Sequence, residues 1–347
     1  MPLTILSVAY PLAPVSPDVA GGAEQILSAL DQAIEGAGYR SVVIAQAGSK
    51  VKGVLIPTPV PAGPITEKVH ASVSADHQRN IDRACSRFPI DLVHFHGLDF
   101  HRYTIPAGIV SLATLHLPPA WYPASIWENS RTQLQCVSEA QRRSCPPQHR
   151  DLPVIPNGAP LSRLRRRPRQ FALALGRLCP EKNFHVALDA GSRAKVPVVL
   201  GGEVFAYPEH QRYYSTQLVP RLHWPHRFVG PVPFARKQRL LAAARCVLLP
   251  SIAPETSSLV AMEALAAGTP AIAFPSGAIP EIIEDGVTGF LVKDENQMAE
   301  AILRCGGIDP ETCRQRAAQH FSQARMTEAY LALYERLLKR GPVLWAC

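Results

Sequence analysis

Glu255 and Glu263 stand eight residues apart in the segment PSIAPETSSLVAMEALAAGTPAIAF, Pro250 to Phe274. An apolar run, Val247 to Leu249, reads as a buried strand that enters a proline-bearing loop carrying Glu255. Ser257 and Ser258 then open a helix whose backbone start includes Leu259, and Glu263 falls in its second turn. Gly268 ends the helix, and Thr269 to Phe274 reads as the next strand. A helix start of this kind presents unpaired N–H groups and a positive dipole end, which suit a phosphate. A carboxylate on either side can accept hydrogen bonds from hydroxyls. The pattern fits a ligand with a diphosphate at its centre and hydroxyl-rich groups at both ends.

Other residues add to that chemistry. Arg177 and Lys182 lie on one short loop between a strand ending at Gly176 and a helix starting near Asn183, where two cations can neutralise a diphosphate leaving group. Gly201 and Gly202 end one strand, and Gly230 with Pro231 and Val232 follows another; ordinary turn chemistry explains these as well as ligand contact does. Gly21 and Gly22 precede the first helix after a long loop, where paired glycines admit an anion or simply turn the chain. No G-x-G-x-x-G follows the first strand, so this is not a dinucleotide fingerprint. His116 ends a strand in TLHLP, the end of a strand where open α/β sheets bind ligands. His94 and His96 sit near another strand end, His94 packed in the sheet and His96 a candidate for lining a site.

The segment around Glu255 resembles the retaining glycosyltransferases of family 4, the glycosyl transferases group 1. Their motif is a Glu, seven residues, a second Glu, an Ala/Gly-rich helix end, Gly-x-Pro and a strand. The resemblance implies that Glu255 contacts the donor sugar and Glu263 the ribose. It matches the family's Gly-Arg and Glu-Lys segment onto Arg177 and Lys182, its Gly-Gly loop onto Gly21 and Gly22, its Thr-x-His onto His116, and its nucleotide-base region onto Gly230. DLVHFHG resembles another family segment, and SGAIPEIIEDGVTGFLV, Ser276 to Val292, its closing helix start and strand, with Glu281 near the donor. One departure stands out: Ser257 and Ser258 replace a frequent Phe-Gly, so a cap on the helix replaces close backbone approach.

The resemblance also implies fold and activity. The expected fold is α/β, two facing doubly wound Rossmann-like domains, called GT-B, with an interdomain cleft. The expected reaction is retaining, metal-independent transfer of a hexose from a nucleoside diphosphate sugar, with UDP the expected nucleotide, to a hydroxyl acceptor, which is a glycan, a lipid-linked group or a small molecule. No Asp-x-Asp occurs in the chain, and no cofactor is expected. The leaving phosphate would take the acceptor proton at the front face. Two other classes share the architecture: a nucleotide-sugar 2-epimerase and a partner subunit without catalysis.

Length and composition bound the rest. A chain of 347 residues fits two domains, and an apolar fraction of 47% fills their cores. The 33 prolines are scattered rather than tracted. No apolar run reaches a membrane-spanning length, and the N-terminus lacks a signal-peptide pattern, so a cytoplasmic location is expected. The eight cysteines include no Cys-x-x-Cys pair, and are expected as reduced thiols without a zinc site. The net charge of +8 is fed by RLRRRPRQ, Arg163 to Gln170, which reads as a solvated linker or a contact to an anionic membrane at the inner face. Nucleic acid is the weakest partner, because no aromatics interleave with these arginines. Oligomeric state is not encoded in any pattern.

Alternation of strand and helix begins at once. Expected strands are Leu3 to Val8, Val42 to Ala45, Asp91 to His96, Ser111 to His116, Leu134 to Val137 and Val154 to Ile155. Ile26, Leu27, Leu30, Ala33 and Ile34 form one helical face, stopped by Gly36 and Gly38. After the linker come Phe171 to Leu175, Val198 to Leu200, Arg227 to Val229, Cys246 to Leu249, Ala271 to Phe274 and Phe290 to Val292. The expected domains are 1–162, a linker over 163–170, 171–320, and a segment 321–347 whose helix, with Met326, Tyr330, Tyr334, Leu337 and Leu338 on one face and Gly341 and Pro342 at its end, returns to the first domain.

Overall fold

The computed structural model describes residues 2–19, 21–61, 66–128, 131–162, 164 and 170–340. The basic segment, apart from Leu164 and Gln170, lies outside the described residues, as do Gly341 and Pro342. The chain divides into two compact units: Met1–Val137 with Gln141–Ile155 and Met326–Cys347, and Ser138–Ala140 with Pro156–Arg325.

The first unit runs β1 (Thr4–Val8), α1 (Gly22–Gly36), β2 (Arg40–Gln46), β3 (Val54–Thr58), α2 (Glu67–Arg87), β4 (Leu92–Phe95), β5 (Val110–Leu115), α3 (Ser125–Glu128), β6 (Thr132–Cys136) and α4 (Glu139–Arg143). Its six strands are parallel in the order β3-β2-β1-β4-β5-β6. Every side chain of β1, β4 and β5 is buried, the signature of a parallel sheet covered on both faces. Val154 pairs with Cys136 only as an isolated bridge, because Pro153 and Pro156 flank the two residues and remove ladder donors.

β3 and α2 were not anticipated. β3 is an edge strand interrupted by Pro57, and the buried face of α2 mixes Val73, Ile81 and Ala84 with His77 and Asn80, which hides its periodicity. Those polar residues have partners. His77 Nδ1 meets Thr58 Oγ1 at 2.7 Å and its Nε2 meets the Ala9 carbonyl at 3.0 Å, so α2 ties the ends of β3 and β1.

The second unit runs β7 (Ala172–Leu175), α5 (Phe184–Arg193), β8 (Val198–Gly201), α6 (Pro208–Tyr213), β9 (Arg227–Phe228), α7 (Phe234–Ala243), β10 (Cys246–Leu249), α8 (Leu259–Ala266), β11 (Ala271–Ala273), α9 (Ile279–Ile282), β12 (Gly289–Leu291), α10 (Glu295–Arg304) and α11 (Pro310–His320). Its strands are parallel in the order β12-β11-β10-β7-β8-β9. α8 is buried from Ala261 to Ala266, and its alanines let it pack tightly in the core with Leu249, Ala271 and Cys313. Among the described residues no helix is long and apolar enough to cross a membrane.

α12 (Gln323–Arg340) begins in the second unit and joins the first from Met326. Its buried face holds Met326, Tyr330, Leu333, Tyr334 and Leu337. Two of these are anchored by polar contacts. Tyr334 Oη lies 2.7 Å from His94 Nδ1, His94 Nε2 lies 2.8 Å from Thr114 Oγ1, and Tyr330 Oη donates to Gln135 Oε1 at 2.8 Å. A buried network satisfied in this way fixes one docking register. Tyr334→Phe leaves His94 Nδ1 buried without a partner. The expected cost is about 1–3 kcal/mol, read as a lower urea midpoint; an unchanged midpoint would show that the network does not hold the helix.

Candidate functional site

In an open parallel sheet, ligand sites form outside the carboxyl ends of the strands where strand order reverses. In the second sheet the reversal lies between β7 and β10, the neighbours from which order runs outward both ways. The loops leaving those two strands carry Arg177, Lys182 and Glu255.

The β7 loop passes Gly176 and the exposed Arg177 into a 3-10 turn at Pro180–Lys182. Asn183 follows in the left-handed conformation at φ 56°, which Asn tolerates better than most residues, and α5 starts at once. The Lys182 ammonium lies 2.5 Å from Glu255 Oε1, and Ser251 Oγ donates to the same oxygen at 2.6 Å. The two loops also share a backbone bond, Ile252 N–H to the Glu181 carbonyl at 3.0 Å.

Behind Glu255 the chain is held by the loop before α9. The Ala278 N–H donates to the Glu255 carbonyl at 2.7 Å. Gly277, at φ 56°, presses so close that a Cβ there would meet the Glu255 carbonyl oxygen at 2.2 Å. Gly202, at φ 152°, serves the same purpose after β8, where a Cβ would come within 1.8 Å of the Gly176 carbonyl oxygen. Its N–H donates to the carbonyl of Gly230 at 2.9 Å, which links the exits of β8 and β9.

Ser258 is the N-cap of α8, and its Oγ accepts the Ala261 N–H at 3.4 Å. The first turn beyond it, from Leu259, keeps N–H groups without intrahelical partners. Glu263 lies inside α8, 3% exposed, with Oε1 2.6 Å from the Lys237 ammonium on α7. Burial raises its carboxyl pKa, and Lys237 opposes that rise. Glu263 Oε2 is buried without a hydrogen-bond partner among the described residues, and so is Ser257 Oγ. The helix start therefore has free donors and two unused polar atoms beside it. Glu281 is committed elsewhere: its carboxylate accepts the N–H groups of Glu139 at 3.1 Å and Ala140 at 2.5 Å.

The first unit holds a second constellation, also at a reversal point, where β1 lies between β2 and β4. His96 leaves β4 and His116 leaves β5, with His96 Nδ1 3.2 Å from His116 Nε2. The ring of His94 lies 3.9 Å from that of His96. Burial holds all three imidazoles neutral, His116 down at about 4 and the other two well below their ordinary value; the neighbouring histidines add to the effect on those two. His96 Nε2 is buried without a hydrogen-bond partner among the described residues. Gly21 is the N-cap of α1 and Gly22 its first residue. The carboxylate of Glu24 folds against Gly21, in the place a side chain there would take. That negative group sits where an anion was expected.

Arg177, Lys182, Gly202, Gly230, Glu255, Ser257, Ser258, Leu259 and Glu263 thus gather in the second unit, and Gly21, Gly22 and His116 in the first. Three supporting residues were not read from the sequence. Lys237 sits among other cations in FARKQRLL, Ser251 is an ordinary loop serine, and Gly277 looked like a simple helix entry.

Residues 169–306 match the family described as glycosyl transferases group 1. That segment is similar to the group 1 glycosyltransferase domain. It contains every site residue of the second unit and none of the first. Over 120 residues the chain is 38% identical to D-inositol 3-phosphate glycosyltransferases of Mycobacterium bovis and Mycobacterium tuberculosis, an alignment over 32% of this chain and 25% of theirs. The chain thus spans about a quarter of the length of the curated relatives it matches. Solved structures resemble it over nearly its whole length. The sucrose-phosphate synthase of Thermosynechococcus elongatus has a TM-score of 0.79 at 19% identity, covering 97% of this chain and 100% of that one. AviGT4, a glycosyltransferase involved in avilamycin A biosynthesis, has 0.72 at 22%, covering 97% and 98%. HepE of Anabaena, in complex with UDP-glucose, has 0.73 at 19%, covering 96% and 100%. These likenesses establish the GT-B glycosyltransferase fold, α/β with two parallel six-stranded sheets.

Within the matched segment, Lys237→Ala would strand a buried carboxylate. The expected loss is about 3–5 kcal/mol at neutral pH, smaller in acid where Glu263 protonates. Lys237→Met with Glu263→Leu should recover much of it, and denaturant titration of the unsubstituted chain and these two variants checks both expectations. Outside the matched segment, the histidine cluster predicts acid sensitivity. Its native pKa values are depressed, so the unfolded chain binds more protons. Stability is full above about pH 6.5, the ordinary histidine value, and falls as pH drops toward about 4. His116 alone accounts for on the order of 3 kcal/mol. His96→Gln with His116→Gln should flatten that slope in pH-dependent urea unfolding.

Proposed function

We propose that this chain is a retaining, metal-independent glycosyltransferase that moves a hexose from a nucleoside diphosphate sugar to a hydroxyl acceptor. The observation that carries the reading is the Lys182 ammonium seated on Glu255 at the carboxyl ends of β7 and β10. It lies inside the segment matched to the glycosyl transferases group 1.

The roles follow from donor and acceptor counts. An ammonium has three N–H groups; one serves Glu255, and two can reach phosphate oxygens. Lys182 and Arg177 absorb the charge that develops on the diphosphate as the glycosidic bond breaks. The α8 start, with Ser257, Ser258 and Leu259, adds backbone donors and a positive dipole end. Glu255 Oε1 takes both Lys182 and Ser251, which leaves Oε2 for a hexose hydroxyl. Glu263 Oε2, buried and unpartnered, accepts a ribose hydroxyl. Gly202 and Gly230 border the nucleotide. UDP is the proposed carrier, supported by the UDP-glucose complex of the HepE structure. His116, with Gly21 and Gly22, is assigned to the acceptor and the reacting sugar. The departing phosphate oxygen takes the acceptor proton, so no separate base is required. No resident cofactor is proposed. The acceptor is a glycan, a lipid-linked group or a small molecule, and contact with an anionic membrane through the basic segment belongs to the same proposal.

The test combines binding and turnover. UDP-, GDP- and ADP-sugars are screened by thermal shift in chelator and again with Mg²⁺. Stabilisation by one nucleotide class without metal is expected. Lys182→Ala should cut donor turnover by about 10²–10³-fold, the size seen for loss of one preorganised charge-stabilising donor, and Glu255→Gln should weaken donor use. A Lys182→Ala variant turning over donor at the original rate removes the leaving-group role, and binding only with Mg²⁺ removes metal independence. Conversion of the donor sugar to its 2-epimer without acceptor would place the chain with the epimerases instead.

A further inference from the structure

The turn that presents Lys182 carries a second group of chemically active residues. One donor atom each from Cys179, Glu181 and His210 lies within 4.8 Å of the others. Cys179 is 1% exposed and His210 5%, while Glu181 reaches solvent. The imidazole of His210 packs edge-on against Tyr207 at 5.1 Å and tilted against Phe205 at 6.3 Å, and its Nδ1 is buried with no hydrogen-bond partner among the described residues. A buried ring nitrogen without a partner, on a histidine that stands beside a thiol and a carboxylate, is costly unless something fills the gap.

We propose that Cys179, Glu181 and His210 bind a divalent transition metal of the zinc type. Thiolate, imidazole and carboxylate together match zinc, whereas magnesium and calcium take oxygen ligands. Tetrahedral bonds of about 2.0–2.3 Å put donors about 3.5 Å apart, so the cluster contracts by at most about 1.3 Å on binding. On binding, the Cys179 S–H bond breaks, its proton passes to solvent and a sulfur–metal bond forms. His210 gives a ring lone pair, Glu181 gives a carboxylate oxygen, and water fills the fourth position.

The site has a structural consequence. Cys179 and Glu181 bracket Pro180 immediately before Lys182, and the Lys182 N–H donates to the Cys179 carbonyl at 3.1 Å. His210 belongs to α6, which follows β8. A metal here ties α6 to the turn that aims Lys182 and narrows the positions its ammonium can take. The spacing gave no warning, because Cys-x-Glu is not a zinc-finger pattern and the histidine sits on another element.

Cobalt(II) is the probe. The full chain is stripped with chelator, loaded with Co²⁺ and read by absorption, by metal analysis and by displacement with Zn²⁺. One Co²⁺ per chain, with a thiolate-to-cobalt band and tetrahedral visible bands, is expected. Cys179→Ser should abolish the thiolate band, and His210→Ala should weaken binding by at least roughly tenfold. Glu181→Gln serves as a third, milder variant should either of these fail to fold, checked by circular dichroism. Loss of Co²⁺ stoichiometry to below half a metal per chain, or a thiolate band unchanged in Cys179→Ser, would overturn the site. The readout uses no donor sugar, so failure here leaves the glycosyltransferase proposal standing, and failure there leaves this one.

Discussion

The ion pair between Lys182 and Glu255 is the contact around which the second unit's site is arranged. It joins the loops of β7 and β10, two adjacent strands whose connections run in opposite directions. The pair is only partly exposed, 25% and 14% for the two side chains, so solvent screens it less than a surface bridge. It is not left to hold the geometry alone. The Ile252 to Glu181 backbone bond sets the spacing of the loops, and Gly277 lets the chain before α9 press against the back of Glu255. An ammonium placed in this way is positioned before any ligand arrives. Preorganised charge of that kind lowers a barrier without reorganising during the reaction.

Glu263 meets a harder constraint. It is fully inside a helix that is itself buried, and an uncompensated carboxylate there would cost several kcal/mol. Lys237 answers this from α7 with its own side chain nearly covered. The compensation is one-sided: Oε1 has the ammonium, and Oε2 has nothing among the described residues. A carboxylate half satisfied inside a helix departs from the rule that buried polar groups are paired, and such a departure calls for an explanation.

Much of this was legible in the sequence for physical reasons. The strands of both sheets announce themselves because a parallel sheet buried on both faces needs continuous apolar runs, as in Leu92–Phe95 and Cys246–Leu249. The α8 start was legible because Ser258 is a capping residue and Gly268 a stop. The Glu255 and Lys182 loops were legible because charged residues in loops at strand ends have few structural duties. β3 and α2 were not, since Pro57 breaks one pattern and His77 and Asn80 dilute the other. Lys237 was hidden for a different reason: nothing in a helix of alternating cations says which of them turns inward. Glu24 was hidden as well, because its carboxylate lies over Gly21 only by virtue of the turn of α1.

The two carboxylates that the sequence singled out turn out to share one device. Each is held by a lysine from a different element, on one oxygen only. At Glu263 the lysine works against the rise in pKa that burial imposes, and the free oxygen is left as an acceptor. It also fixes the plane of the carboxylate, so that acceptor points in one direction. A hydroxyl arriving at Oε2 therefore gains a charge-assisted hydrogen bond without having to displace the lysine. Replacing either lysine by arginine would not preserve this. A guanidinium prefers to engage both oxygens in a planar fork and would consume the acceptor that the hydroxyl needs. The compact ammonium is what leaves half of each carboxylate available, and that choice of cation links the packing of α7 and of the β7 loop to what the site can bind.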